Sequence, residues 1–552
     1  MPSPNKRLRL SCHLALAAGI AVAALAVVSS VSEAQYRGGY RGMGSRMQTL
    51  GGGSRWGGGS RRDRGRYSDR YDKPGYGDGG RRPRYPFPRR PPYGIGVIGP
   101  GIVVDPIDPD DLDPPPPPPR QYSRGAPPSR GAGISIPPNN EQRFVPDEVL
   151  LEFAANYSPQ AIAQLLQRHG MVQLEAQAFT LTNSLFVRAR ITARRSVRAT
   201  LRRLRSEAAV RTGQANFIYS ASQQAMPSEA GPAATIQGPA DATPKATPVV
   251  AAAGALPGAG DPAQYALAKL RLTEAHRLAT GDQVLVAVID SGIDLGHPEL
   301  QGVVAGSYDA LGRAEPPHVH GTAIAGAISA HARLMGAAPA ARLLAIRAFG
   351  SSGNDTAEAI TSAILKGIEY AVTQNARVIN MSFAGPADPA MSRFLADADK
   401  RGVVLIAASG NLGPKSAPQY PAADPNVIAV SATDANDKMF KASTIGRHIA
   451  LTAPGVDILL PAPNADYQLS SGTSFSAAYV SGVAALVLQR APALKPNAVR
   501  AVLQETAKDL GPRGKDRQYG AGLVDAYRAI VKVQPAAAGR PQEASSRAGP
   551  AR

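Results

Sequence analysis

Asp290, His320 and Ser474 have the residue types needed to cleave an acyl bond by nucleophilic attack, and each is set beside glycine. Their contexts are Val288-Ile289-Asp290-Ser291-Gly292, His320-Gly321-Thr322 and Gly472-Thr473-Ser474-Phe475-Ser476. A serine hydroxyl becomes a useful nucleophile when a neighbouring base takes its proton. That base needs a third group to fix its tautomer and to stabilise the imidazolium that forms. An aspartate, a histidine and a serine supply these roles if the fold brings them together.

The flanking residues indicate how it would. Val284–Ile289 is a continuous apolar run of strand length, as in a parallel strand buried on both faces, and Asp290 falls where it ends. Catalytic and binding groups of open α/β sheets gather at such carboxyl ends. Alone, Asp290 reads as an ordinary Asp-Ser-Gly turn. His320-Gly321-Thr322 opens a run of small and apolar residues, Ala323–Ala330, that reads as a buried helix. His318 is the competing histidine, and the Gly-Thr that follows favours His320. Ser474 precedes a second small-residue helix, where a serine also has the plain role of a helix cap beside a dipole that favours negative charge. A fourth segment, Val403–Asn411, is an apolar run ending in Gly410-Asn411, whose side-chain amide can donate to an oxyanion. A fifth, Val378–Gly385, is a strand leading into a small-residue turn that can add a peptide strand by its backbone groups.

With these five segments in order the chain resembles the subtilisin-like serine peptidase family, over roughly residues 265–531. His297-Pro298-Glu299-Leu300, Ala338-Pro339 and Ala453-Pro454-Gly455 are weaker marks of the same kind. The resemblance implies Asp290, His320 and Ser474 as a catalytic triad and Asn411 as the oxyanion donor. It further implies that Ser351, Ser352, Gly353, Ser382, Phe383 and Ala384 flank the substrate cleft, with Phe383 and Ala384 near the first specificity pocket and an apolar or aromatic preference there. Phe475, Ala478 and Tyr479 depart from the family pattern after the nucleophile; Ala478 replaces a proline within the first helical turns, which the backbone should accept. His331–Gly336, where many members have a calcium loop, is short and carries no carboxylate or Asn. Calcium takes several oxygen ligands, so no metal and no cofactor are expected there.

The remainder of the 552 residues reads as further segments. Residues 1–34 have basic residues, an apolar run and Ser32-Glu33-Ala34, the pattern of a secretory signal peptide cleaved after Ala34; an uncleaved membrane anchor is the alternative. The expected destination is outside the cell, in the periplasm or on the cell surface. The one cysteine, Cys12, lies in that segment, so no disulfide is expected within the mature chain. Residues 35–143 are Gly, Arg and Tyr, then Pro, a composition that stays disordered and contributes much of the net charge of +19. Such an arm either has no partner or binds an anionic surface; nucleic acid is not expected for an exported chain.

Residues 144–223 show strand, helix, strand, strand, helix, strand patterning, which suggests a small ferredoxin-like α+β domain and resembles the inhibitory propeptide of the same peptidases. Residues 224–262 form a linker open to cleavage, 263–531 the peptidase domain and 532–552 a disordered tail. The peptidase domain should be a three-layer α/β fold with a mainly parallel sheet, its strands at 284–290, 342–347, 377–382, 403–408 and 427–431 alternating with helices. The expected activity is exported serine endopeptidase, made as a self-processing zymogen and acting on protein or peptide substrates with its own propeptide domain as partner. The rival is a surface-associated binding protein whose protease domain serves only its own maturation.

Overall fold

Short apolar runs bounded by glycine and polar turns form the central sheet of the computed structural model, which describes residues 133–221, 260–353 and 356–533. The expected signal peptide, nearly all of the Gly/Arg/Pro-rich arm, most of the linker and all of the tail after Val533 lie outside the described residues; Lys532 and Val533, expected in the tail, end the last helix.

The first described unit is a four-stranded antiparallel sheet with two helices. Its elements are β1 (Phe144–Ala154), α1 (Pro159–Arg168), β2 (Met171–Phe179), β3 (Ser184–Ile191), α2 (Val197–Leu204) and β4 (Thr212–Ala221). The strands lie in the order β2-β3-β1-β4, so the first and last strands are neighbours, as in a ferredoxin-like sandwich. Both helices start on a serine: Ser158 and Ser196 accept from the backbone N–H three residues on, which satisfies one of the open donors of a first turn. Ile162, Leu165 and Leu166 of α1 and Val197, Leu201 and Leu204 of α2 are buried at helical spacing.

The second unit is built on a seven-stranded parallel sheet. In chain order its strands are β5 (Leu285–Asp290), β6 (Val304–Asp309), β7 (Arg342–Arg347), β10 (Val378–Met381), β11 (Val404–Ala408), β12 (Val427–Thr433) and β13 (Ile449–Pro454); β8 (Gly350–Gly353) and β9 (Thr356–Ile360) form a hairpin that extends the sheet of the first unit, β9 pairing with β4. Across the sheet they run β13-β12-β11-β10-β5-β7-β6. The five strands expected from the sequence are present within two residues at each end; β6 and β13, at the sheet edges, join them. Order reverses at β5, and the carboxyl end of that strand is Asp290.

Helices cover both faces: α3 (Val319–Ser329), α4 (Thr361–Thr373), α5 (Pro389–Lys400), α6 (Thr473–Arg490), α7 (Pro496–Thr506) and α8 (Ala526–Val533). From Thr473 to Leu488, α6 is buried on all sides, which is why its sequence is apolar and small all round. Ala478 sits within it without a break. A two-stranded ribbon, β14 (Ile458–Ala462) and β15 (Asp466–Ser470), leads into α6. Among the described residues no helix is long and apolar enough to cross a membrane.

The two units share one core. Phe179 and Phe186 of the first pack edge-on against Phe394 of α5, with ring centroids 4.9 and 5.7 Å apart. Glu369 of α4 accepts from the backbone N–H groups of Thr180 and Leu181, and Lys366 pairs with Glu175 at 2.7 Å.

Candidate active site

Asp290 is held from both sides. Its carbonyl accepts from Ala348 and Phe349 N–H at 2.9 and 3.1 Å. Its carboxylate Oδ1 accepts from Ser291 N–H at 2.7 Å and contacts His320 Nδ1 at 2.7 Å. Both Asp290 and His320 have no solvent exposure. With Nδ1–H given to the carboxylate, Nε2 of His320 carries the lone pair. That Nε2 is buried and has no hydrogen-bond partner, as has Asp290 Oδ2. A buried unpaired polar atom costs about 1–3 kcal/mol, and such an atom is a mark of a reactive site.

His320 is the second residue of α3. His318 is the cap of that helix: its Nδ1 accepts from His320 N–H at 3.2 Å. The helix starts close against Ser291, whose Oγ accepts from Gly321 N–H at 3.1 Å. A Cβ at position 321 would lie 2.5 Å from the Ser291 carbonyl oxygen. Glycine is therefore required for the histidine to reach the aspartate.

Ser474 is the second residue of α6 and is buried to 3 % exposure. Its Oγ donates to the Ser382 carbonyl at 3.2 Å, and Ser382 Oγ donates back to the Ser474 carbonyl at 2.9 Å. Asn380 Nδ2 donates to Ser382 Oγ, and Ser481 Oγ to Asn380 Oδ1, so the pair is braced from β10 and from the next turns of α6. Phe475 lies with its ring 6.2 Å from that of His320. Asn411 follows β11; its Oδ1 accepts from Thr473 N–H and Oγ1 at 3.1 and 2.9 Å. This fixes the amide with its donor end away from Thr473, and a Cβ at Gly472 would meet Nδ2 at 3.3 Å.

The cleft is occupied by the chain itself. β4 pairs antiparallel with β9 over Ile218–Ala221 and Ala357–Ile360. On its other side Ser220 exchanges both backbone hydrogen bonds with Ala384, each 3.0 Å. Of the six residues expected to flank the cleft, Ser382, Phe383 and Ala384 lie along this strand. Ser351, Ser352 and Gly353 lie one strand further out, in β8, which pairs with β9 and not with β4. The strand that does pair, Ala357–Ile360, is not among the residues expected from the sequence to flank the cleft. Phe383 packs under Tyr219, ring centroids 5.9 Å apart, and against Phe349 at 4.8 Å. It thus belongs to the Tyr219 position, further along the cleft than the residue that faces Ser382.

Tyr219 is wholly buried, and Asp388 nearly so. Burial, then the neighbouring Asp388, drives the Tyr219 phenol well above its ordinary value. Burial also holds the Asp388 carboxyl above the usual aspartate range, against the pull of hydrogen bonds from Thr361, Met391, Gln214 and Tyr219. At the shortened stretch His331–Gly336 the N–H groups of Ala332, Arg333 and Leu334 all donate to the buried Glu299 carboxylate at 2.8 Å. Converging donors satisfy an anion; a cation needs oxygen lone pairs. Among the described residues there is no group of three or more His, Cys, Asp or Glu side chains that could hold a metal ion.

This fold, with an aspartate at the sheet's switch point and a histidine and a serine at two helix starts, defines an α/β serine hydrolase. The Subtilase family profile matches residues 281–522. Thermitase of Thermoactinomyces vulgaris is 34% identical over 275 residues, which are 48% of this chain and 95% of thermitase. Subtilisin NAT of Bacillus subtilis subsp. natto is 35% identical over 277 residues, covering 48% of this chain and 70% of that protein. The chain belongs to the subtilase family and is a subtilisin-like serine endopeptidase. The crystal structure of fervidolysin from Fervidobacterium pennivorans, described as a keratinolytic enzyme related to subtilisin, superposes with a TM-score of 0.58 at 22% identity. That match covers 73% of this chain and 63% of fervidolysin, and it bears on the fold.

Proposed function

We propose that the chain is an exported serine endopeptidase made as a self-processing zymogen, working through an acyl-enzyme on Asp290, His320 and Ser474. The observation that carries this reading is the seating of β4 between β9 and Ala384, two residues along from the Ser382 carbonyl that accepts from Ser474 Oγ, with both edges of the strand hydrogen-bonded.

In this reading a substrate lies extended between β9 and residues 382–385, as β4 does. Ser474 Oγ turns from the Ser382 carbonyl to His320 Nε2, gives up its proton there and attacks the scissile carbonyl. Asp290 holds the ring and balances the charge of the imidazolium. Asn411 Nδ2 and the N–H of Ser474 take the oxyanion, the latter helped by the N-terminal end of α6. His320 then protonates the leaving amine, and water releases the acyl group by the reverse path. No metal or cofactor takes part in these steps.

Residues 144–223 act as the inhibitory propeptide, and self-processing between Ser220 and Gly260 frees the cleft. The basic arm carries the charge for attachment to an anionic surface. N-terminal sequencing of the wild-type and Ser474→Ala proteins tests the zymogen reading: a processed wild type and an intact variant are expected, and identical mature ends would overturn it. The filled cleft also favours a second reading, in which the protease serves only its own maturation on a surface-bound protein. Turnover of added peptide by the processed form separates the two.

A further inference from the structure

Tyr219 enters the cleft at a place built for a phenol. Its hydroxyl donates to the Pro386 carbonyl at 3.1 Å and to Asp388 Oδ2 at 3.2 Å. Its ring stands edge-on to Phe383. It also lies over Gly385, where a Cβ would come within 2.3 Å of a ring carbon. The ring therefore needs glycine at 385, and the hydroxyl needs a buried carboxyl at 388.

Asp388 is the cap of α5, and its Oδ1 accepts from Met391 N–H at 3.0 Å. Thr361 Oγ1 donates to Oδ2 at 2.6 Å. The other two donors, Tyr219 and Gln214 Nε2 at 2.7 Å, both belong to β4. When β4 leaves, Asp388 loses half of its hydrogen bonds and faces the emptied pocket. A buried acceptor left without its donor is costly, so a ligand that restores the bond is favoured over one that lacks it.

We propose that Asp388, with the Pro386 carbonyl, selects substrates carrying a tyrosine at the position that Tyr219 occupies. Ser220 pairs with Ala384, so an antiparallel strand in that register places the residue two further on opposite Ser382, beside Ser474. The tyrosine is then the fourth residue upstream of the cut, counting the residue that bears the scissile carbonyl as the first. Asp388 acts on specificity and takes no part in the bond-breaking step. A phenylalanine fits the same ring site but leaves the carboxyl unanswered.

This inference rests on the peptidase reading, and one experiment distinguishes the two. Full-length protein is incubated until its activity is constant and divided: one portion is labelled with an organophosphonate, and the other, unlabelled, is assayed on two peptides that differ only in Tyr or Phe at that position. The expected result is labelling of Ser474 and kcat/KM about tenfold or more higher for the Tyr peptide. That ratio should fall to about one in Asp388→Ala. Asp388→Asn, which keeps a side-chain cap for α5, should lower it as well and guards against misfolding of the alanine variant. Labelling with equal cleavage of both peptides, labelling without cleavage of the Tyr peptide, or an unchanged ratio in both variants overturns the specificity role and leaves the nucleophile standing. No labelling and no cleavage overturns the peptidase reading, and this inference with it.

Discussion

Ser220 and Ala384 exchange both of their backbone hydrogen bonds, at 3.0 Å in each direction. The pair fixes the register of the inserted strand. A strand that kept this register for two residues more would bring position 222 opposite Ser382, whose carbonyl accepts from Ser474 Oγ. Self-processing should therefore cut between Ser222 and Gln223. Mass spectrometry of the wild-type products should find a chain beginning at Gln223, absent from Ser474→Ala. A first cut further on, within residues 224–262, contradicts the register.

Tyr219 should anchor the N-terminal domain. Truncating a fully buried aromatic costs about 3–5 kcal/mol. In a Ser474→Ala background, Tyr219→Ala should speed hydrogen exchange at the Ser220 and Ala384 amides by several orders of magnitude. Unchanged protection would mean that the phenylalanine cluster around Phe394 holds the domain by itself.

Asn411→Ala should lower kcat by about 10²–10³ and leave KM nearly unchanged, the loss found for one such donor in a subtilisin. Asn411 also braces Thr473, so the variant's thermal midpoint should be recorded beside its kinetics. A loss of kcat without a matching loss of stability is the predicted outcome.

Glu299→Ala should destabilise the peptidase unit by about 3–5 kcal/mol, because three backbone N–H groups would lose a buried carboxylate. Denaturant titration reads this directly. A change under about 1 kcal/mol would mean that the loop rearranges to satisfy its own donors.

The N-terminal domain should lose stability in acid through Glu207. The hydrogen bond with His169 and the nearby Arg168 hold this carboxyl below its ordinary value of 4.5. A group whose folded value is depressed stabilises above its unfolded value, and that contribution fades as pH falls from about 4.5 through the folded value. The urea midpoint of the domain should drop over that range, and less steeply in Glu207→Gln. Equal slopes would remove Glu207 from the account.

The part of the fold that was legible in the sequence is the part buried on both faces. Val284–Ile289 and Val403–Ala408 are apolar throughout because parallel strands meet helices on each side, and Asp290 stands out where the first of them stops. β9 was not legible. Thr356-Ala357-Glu358-Ala359-Ile360 is short and mixes polar with apolar residues, and of the two strands that pair with it, β8 and β4, the second lies some 140 residues earlier in the chain. Ser351–Gly353 drew notice instead, being small and polar, although it lies one strand away. Asp388 was hidden for another reason. Asp388-Pro389 reads as an ordinary helix start, and it does cap α5; only packing shows that the same carboxyl meets a phenol. His318 and His320 were told apart by the glycine after the second, which the close approach to Ser291 requires.

The most direct test of the central claim is hydrolysis of casein and a peptide by the purified protein beside Ser474→Ala, both carried through the same incubation. The account predicts turnover by the wild type and none above background by the variant. Equal turnover by the two would contradict it, since the proposed reaction has no nucleophile other than the Ser474 hydroxyl.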